Sequence, residues 1–170
     1  VPVITLSGSA SVNHEQGTAY TDEGATASDL VDGTISVGTT GSVNFNVVGT
    51  YTLTYTATDS AGNAATAVTR TVIVADTVAP VITLSGTTSV NHEQGTTYVD
   101  AGASASDSVD GSVSVTTSGT VDTDTAGTYT LTYTATDSAG NAATAVTRTV
   151  IVADTVAPVI TLSGSASVNH

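Results

Sequence analysis

Thirty consecutive residues, Gly49 to Val78, recur without a change at Gly127 to Val156. The stretch reads GTYTLTYTATDSAGNAATAVTRTVIVADTV. Tyr51, Leu53, Tyr55 and Ala57 alternate with Thr52, Thr54, Thr56 and Thr58. That is the period of a strand with one face in a core and the other in water. Asp59-Ser60-Ala61-Gly62-Asn63 supplies a turn, because Asp bonds the backbone ahead of itself and Gly or Asn accepts a positive φ. The chain returns over Ala65 to Val74, with Val68, Val72 and Val74 in phase. Two long strands and a tight turn therefore make a hairpin against which the rest of each repeat folds. Arg70 disturbs the pattern by sharing the phase of the valines. The expectation is a bulge that shifts it, or a stem along the core edge with its head in water.

The repetition extends beyond the hairpin. Val3-Ile4-Thr5-Leu6-Ser7-Gly8 returns at Val81 and again at Val159, a period of 78 residues. Residues 1–78 and 79–156 differ at 18 positions, most densely in Gly38 to Val48 against Thr116 to Ala126. The domain plan is thus 1–78, 79–156, and the first strand segments of a third repeat over 157–170. That last piece restarts in frame, which favours a continuing chain over donation of the segment to a neighbouring molecule. A unit this small buries only about 60% of its unfolded surface. With no cysteine in the sequence, disulfides are excluded. Extra stability has to come from a metal, from neighbouring units, or from the hairpin core alone.

Within a unit, Val3 to Gly8 reads as a first strand after Pro2, and Ser11 to Gly17 as an edge segment ending in a turn. Ala19 to Gly24 reads as a loop and Ala25 to Ser28 as a short strand. Asp29 to Gly33 is a turn marked by Asp-Gly, and Thr34 to Val37 another strand. About seven short strands with frequent turns and no helical period predict an all-β fold of tandem immunoglobulin-like β-sandwiches, head to tail.

VITLSG, VNHEQGTAYTDEGATASD, VDGTISV and GTYTLTYTATDSAGNAATAVTRTVIV follow one another in each unit with few changes. Together they resemble the bacterial immunoglobulin-like repeats of surface proteins, including those related to hyalin-repeat modules. The similarity covers the whole unit, and the D-x-x-G-N turn and G-T-Y-x-L-x-Y strand are its most specific parts. Asp124-Thr125-Ala126-Gly127-Thr128-Tyr129 also matches the tyrosine-corner pattern, in which a Tyr hydroxyl bonds back to nearby backbone. In the first unit Asn46-Val47-Val48 replaces the first three residues, while Gly49 and Tyr51 remain. The resemblance implies an extension or adhesion module on the cell surface.

Charge narrows the partners. Two Arg and no Lys stand against 15 acidic residues, a net charge of −13. Nucleic acid and anionic membrane need cationic side chains, so neither is an expected partner. No transmembrane span or signal peptide is present in this segment. In a sandwich the Asp29/Asp32 and Asp59 turns lie at the end where the chain begins a unit. Glu15, the Asp22/Glu23 loop and Asp76 lie where it leaves. Head-to-tail stacking would bring Glu15, Asp22 and Asp76 near Asp107, Asp110 and Asp137. Converging carboxylates with no Lys repel unless a hard cation sits among them, and Ca²⁺ takes six to eight oxygens. A Ca²⁺ site is expected at each such junction, with Asp29, Asp32, Asp59, Asp100 and Asp154 as the equivalents at outer junctions. No D-x-[DN]-x-[DN]-G loop is present, and the same acids also serve as turn caps and solvated surface.

Other chemistry finds little support. His14, His92 and His170 occur once per unit, with no second nitrogen ligand beside them. No activated nucleophile is visible, and the adjacent Asp22 and Glu23 point apart in an extended chain, so no enzyme is expected. Arg70 and Arg148 are expected to pair with a carboxylate of their own unit or to stack on a strand Tyr. Thr52, Thr54, Thr56 and Thr58 can pair with Thr69 and Thr71 in a flat hydroxyl face. The sequence therefore predicts a rigid extracellular spacer, in a stalk, adhesin or filament, whose partners are neighbouring repeats and further copies of itself. The alternative is a ligand-binding module for carbohydrate, ice or a cell-surface partner, using the variable stretch or the Thr face.

Overall fold

The computed structural model describes residues 1–163. The expected third-repeat residues from 164 onward, His170 included, lie outside the described residues, and 157–163 carry no strand. In the first repeat the strands are β1 (Val3–Leu6), β2 (Ser11–Glu15), β3 (Ala25–Asp29) and β4 (Gly33–Ile35). They are followed by β5 (Gly38–Thr40), β6 (Gly49–Thr56) and β7 (Val68–Ala75). The second repeat gives β8 (Val81–Leu84), β9 (Ser89–Glu93), β10 (Ala103–Asp107) and β11 (Gly111–Val113). It ends with β12 (Val115–Ser118), β13 (Gly127–Ala135) and β14 (Val146–Ala153).

Each set of seven makes two sheets. One is three-stranded, in the order β1-β3-β4 and β8-β10-β11; the other is four-stranded, β2-β7-β6-β5 and β9-β14-β13-β12. The fold is the expected pair of immunoglobulin-like sandwiches. The described chain forms two compact units. The first comprises Val1–Ala79 together with the turns Asp107–Gly111 and Asp137–Asn141. The second comprises Pro80–Ser106, Ser112–Thr136 and the chain from Ala142 onward.

The hairpin holds its register without interruption from Gly49↔Val74 to Tyr55↔Val68. Leu53, Tyr55, Ala57, Val72 and Val74 are buried, while Thr52, Thr56 and Thr58 face water. Thr52 pairs with Thr71 and Thr54 with Thr69, as the alternation requires. The core of the first unit is Ile4, Ala27, Leu53, Tyr55 and Ala57, margined by Leu6, Tyr20, Ile35 and Val68. At the hairpin tip Asp59 Oδ1 accepts from the Ala61 and Asn63 amides, and Gly62 takes φ 87°. Both tyrosine corners form: Tyr51 Oη donates to Val47 O and Tyr129 Oη to Thr125 O, each at 2.8 Å. The bond is to a carbonyl, so the first corner survives the loss of the acidic residue. The start of the variable stretch folds as β5, pairing with β6, which its composition did not announce.

Two features fix where chemistry can sit. First, β1 and β2 lie in different sheets, and the chain crosses between them over Ser7 to Ala10. β2 then runs parallel to β7, Ser11 facing Thr71 and Glu15 facing Ala75. Second, the chain begins and leaves the first unit at opposite ends. The Val1 ammonium lies 3.0 Å from Asp29 Oδ2, beside Asp32 and Asp59. β7 ends at Ala75, level with Glu15 and with Gly49 at the far end of β6.

Candidate functional site

Arg70 stays in the register of β7, with no bulge, and its side chain is 1% exposed. The head is buried rather than in water, which corrects the expectation. The crossover explains why. Where β1 gives way to β2, backbone carbonyls point into the interior without ladder partners, and an unpaired buried carbonyl is costly. The guanidinium supplies the missing donors. Nε donates to Ser9 O at 2.9 Å, and Nη2 to Ser7 O and to Gly24 O. Nη1 is ion-paired with Asp22, and the guanidinium lies 5.7 Å from the centre of the Tyr55 ring. Tyr55 Oη donates to both oxygens of Asp22 at 2.8 Å.

The second unit repeats this arrangement and adds a bond from Arg148 Nη1 to Tyr133 Oη at 3.1 Å. Arg148 bonds Thr87 O at 3.0 Å, Ser85 O and Gly102 O, pairs with Asp100, and stacks 5.6 Å from Tyr133. Burial raises the tyrosine hydroxyl most, the carboxylate adds to it, and Tyr55 and Tyr133 are each pushed up to about 12. Burial also acts to raise Asp22, but the Tyr55 and Arg70 hydrogen bonds and the Arg70 charge outweigh it and hold the carboxyl below its ordinary value. The same balance holds Asp100 low. Asp22 and Asp100 therefore do not join the expected metal ligands: the buried guanidinium of their own unit claims them.

The remaining acids divide into several groups. Glu15, the last residue of β2, accepts from the Thr77 amide and hydroxyl. Glu93 does the same for Thr155. Asp32 accepts from Ser60 N at 2.8 Å and from its hydroxyl at 2.9 Å; Asp110 accepts from Ser138 N at 2.6 Å and its hydroxyl at 2.8 Å. These two bind one turn to another within the protein. Asp154 accepts from the Val156 amide at 3.3 Å. His14 and His92 bond the carbonyls of Thr18 and Thr96 at 2.8 and 3.1 Å, as turn residues.

Among the described residues, two groups of three carboxylates come within 4.8 Å of one another: Asp29, Asp32 and Asp59, and Asp76, Asp107 and Asp137. All three members of the second group belong to the first compact unit. Asp76 and Asp137 are each 8% exposed. Asp137 is well supplied with donors: the Asn141 amide at 2.7 Å and its side chain at 2.9 Å. Burial works to raise it, and these bonds, with the Gly140 and Ala139 amides, bring it below its ordinary value. Asp76 is not so supplied. Its one donor is the Val78 amide at 3.3 Å, on Oδ1, and Oδ2 is buried with no partner. Burial raises the Asp76 carboxyl; the Val78 amide opposes this, and Asp107, Asp137 and Glu15 push it further up. Asp107 Oδ1 accepts from the Val109 amide at 2.7 Å, but its Oδ2 is also buried and unpartnered. In the first repeat the corresponding oxygen, Asp29 Oδ2, holds the Val1 ammonium.

The structure brings the carboxylates of Asp76, Asp107 and Asp137 together and pairs Asp22 with Arg70 instead. The linked set of Tyr55, Arg70 and the crossover carbonyls is not among the expected sites. The signal was present: an Arg in a row of valines, with only one Arg per repeat.

The bacterial surface protein, Ig-like domain family matches residues 4–74 and 82–152. No curated protein matches the sequence. Among solved structures, the chain resembles one of Clostridium perfringens ZmpB that contains the M60 catalytic domain with the CBM51-1 and CBM51-2 domains. The TM-score is 0.51 at 13% identity, over 91% of this chain and 31% of that one. A second structure, of CBM51-2 in complex with GlcNAc and INT domains of the same protein, matches with a TM-score of 0.38 at 23% identity, over 51% of this chain and 20% of that one. The fibronectin(III)-like modules of Clostridium thermocellum CbhA match with a TM-score of 0.37 at 20% identity, over 89% and 95%. The chain thus spans a fifth to a third of the two ZmpB chains, and its likeness to the first of them is one of fold. With the family matched twice in tandem across two seven-stranded sandwiches, this chain belongs to the bacterial surface protein Ig-like domain family.

Proposed function

We propose that the chain is a non-catalytic spacer, a stretch of an extracellular stalk, adhesin or filament built from further copies of the same repeat. The observation that carries this reading is the opposite placement of the two chain ends in the first unit, with Val1 at the Asp29–Asp59 end and Asp76 beyond β7 at the other. Such a unit adds its full length to an array each time it is repeated. At roughly 3.4 Å per strand residue, each repeat contributes about 35–40 Å. The net charge of −13 keeps such a polymer apart from its neighbours by self-repulsion. Small-angle scattering on chains of one, two and four repeats tests the reading. A maximum dimension rising linearly, by about 35–40 Å per repeat, supports it. Growth as a compact globule overturns it.

One observation favours the alternative of a ligand-binding module. In the second unit a surface groove of about 630 Å³ is lined by Tyr98, Thr117, Gly119, Thr123 and Leu131. Thr123 stands where the first repeat has Phe45, so the variable stretch shapes the groove. Retention on a soluble-glycan panel by the intact chain, lost in T123F, would favour this reading over the spacer.

A further inference from the structure

We infer that Asp76, Asp107 and Asp137 form a binding site for a hard divalent cation, Ca²⁺ by its chemistry. The site rests on side chains of the first compact unit and does not depend on the spacer reading. Three carboxylates within 4.8 Å would by themselves be an acidic patch. The deciding observation is that two of their oxygens, Asp76 Oδ2 and Asp107 Oδ2, are buried without a hydrogen-bond donor. Asp76 is more than nine-tenths buried, and its carboxylate belongs to this group. A buried carboxylate that has no counter-charge and leaves one oxygen without a donor is disfavoured, so something positive completes the group.

Among the described residues, no cationic side chain supplies that charge. The only Arg or Lys residues are Arg70 and Arg148, and both are held inside the Asp22 and Asp100 pairs. His14 and His92 are bonded to Thr18 and Thr96. An external cation remains. All three ligands are carboxylates, which suit Ca²⁺ or Mg²⁺ and not a thiolate- or imidazole-seeking metal. Oxygens around a Ca²⁺ lie about 2.3–2.6 Å from it, and opposite ligands are then about 5 Å apart, which accommodates this cluster. The Asp76 carbonyl, which accepts from Asn141 Nδ2 at 3.2 Å, lies beside the same group and can add an oxygen. Mg²⁺ demands a tighter octahedron and retains its waters, so Ca²⁺ fits better. The bound ion would tie the end of β7 to the Asp107–Gly111 and Asp137–Asn141 turns. Asp29, Asp32 and Asp59 share the spacing but have no buried oxygen without a partner, and they carry no proposal.

The test uses the full 170-residue chain, stripped with chelator, then titrated with CaCl₂ or MgCl₂ by calorimetry and followed by thermal melting. At about 100 times the dissociation constant, Ca²⁺ should raise the melting temperature of one transition by on the order of 10 °C. D76N and D107N should remove both the heat and the rise, while D32N, in the other cluster, should keep them. Far-UV circular dichroism checks that each variant is folded. D76S, which carries no carboxylate but can still bond the Val78 amide, provides a second variant should D76N not fold. No heat and no melting shift in the parent up to millimolar Ca²⁺ overturns the inference. So does an effect that survives D76N and vanishes in D32N.

Discussion

The first unit holds two groups of acids in opposite ways. At Asp22 the carboxylate meets a guanidinium and a tyrosine hydroxyl, and the guanidinium also reaches the Gly24 carbonyl. At Asp76, two oxygens of three clustered carboxylates meet nothing. Asp22 keeps a quarter of its side chain in water, whereas Asp76 is 8% exposed, so the acid with the lesser access to solvent is also the one with fewer donors. The internal pair is complete in a single repeat, because Arg70, Asp22 and Tyr55 all come from the first 78 residues. The acidic group takes its residues from both repeats of the sequence, and among the described residues no donor reaches Asp76 Oδ2 or Asp107 Oδ2. The contrast teaches that these repeats carry their own counter-charge only where the fold needs it, at the sheet crossover.

The largest effect should come from breaking the complete group. R148M leaves the half-buried Asp100 without its cation and removes the donors to the Ser85 and Thr87 carbonyls. Removing one partner of a buried pair costs about 3–5 kcal/mol, a large share of the stability of a unit this size. Urea unfolding should show one of two transitions lost or moved sharply down. The double variant R148M/D100N should recover part of the loss, because the orphaned charge goes with its partner. A loss below about 1 kcal/mol in R148M would mean that the pair is only an exposed one.

How far this pair could be read beforehand depends on the range of the contacts. The hairpin, its turn, its Thr pairs and the tyrosine corners follow from patterns spanning a few residues, and the sequence is explicit about them. The phase of Arg70 raised the right question as well. Its answer lies 48 residues away in Asp22 and 63 away in Ser7, contacts made by the folding of the Ala19–Gly24 loop, which no periodicity encodes. Asp22 was therefore grouped with the acids nearest to it in type. Asp76, Asp107 and Asp137 were legible because turns and strand ends fix which end of a sandwich they occupy. Glu15 and Asp110 were placed at the correct ends, but local hydroxyls and amides take up their oxygens.

A smaller and reversible effect should follow pH. Asp22 and Asp100 are held below their ordinary value, so each adds stability that is fully present above the unfolded value of about 4. That contribution is lost as pH falls through the lower folded value. Tyr55 and Tyr133 run the other way. Raised to about 12, they contribute below the ordinary phenol value of about 10 and lose this as pH rises from there to about 12. Stability in urea should therefore fall at both extremes. Of the six tyrosines in the sequence, two should resist ionisation in an absorbance titration until about pH 12. All six ionising together near the free phenol value in the folded protein would remove the linked Tyr–Asp–Arg group.

The incomplete group should respond with the opposite sign. In chelator, D22N should lower the melting temperature and D76N should raise it, since the first removes a satisfied charge and the second an unsatisfied one. Equal losses in both variants would erase the contrast between the two places.

The smallest effect belongs to the tyrosine corner, where the group at stake is neutral. Tyr51 Oη donates to Val47 O in the first repeat and Tyr129 Oη to Thr125 O in the second, at the same distance, although the residues around them differ. Y51F keeps the ring packed and deletes only the donor. Val47 is more than half exposed, so water can replace the lost bond. The cost should be about 1 kcal/mol, typical of one neutral hydrogen bond, with Y129F matching it to within a few tenths. If Y129F costs much more than Y51F, then the acidic Asp124 that the first repeat replaces with Asn46 contributes to the corner, and a backbone carbonyl alone does not account for it.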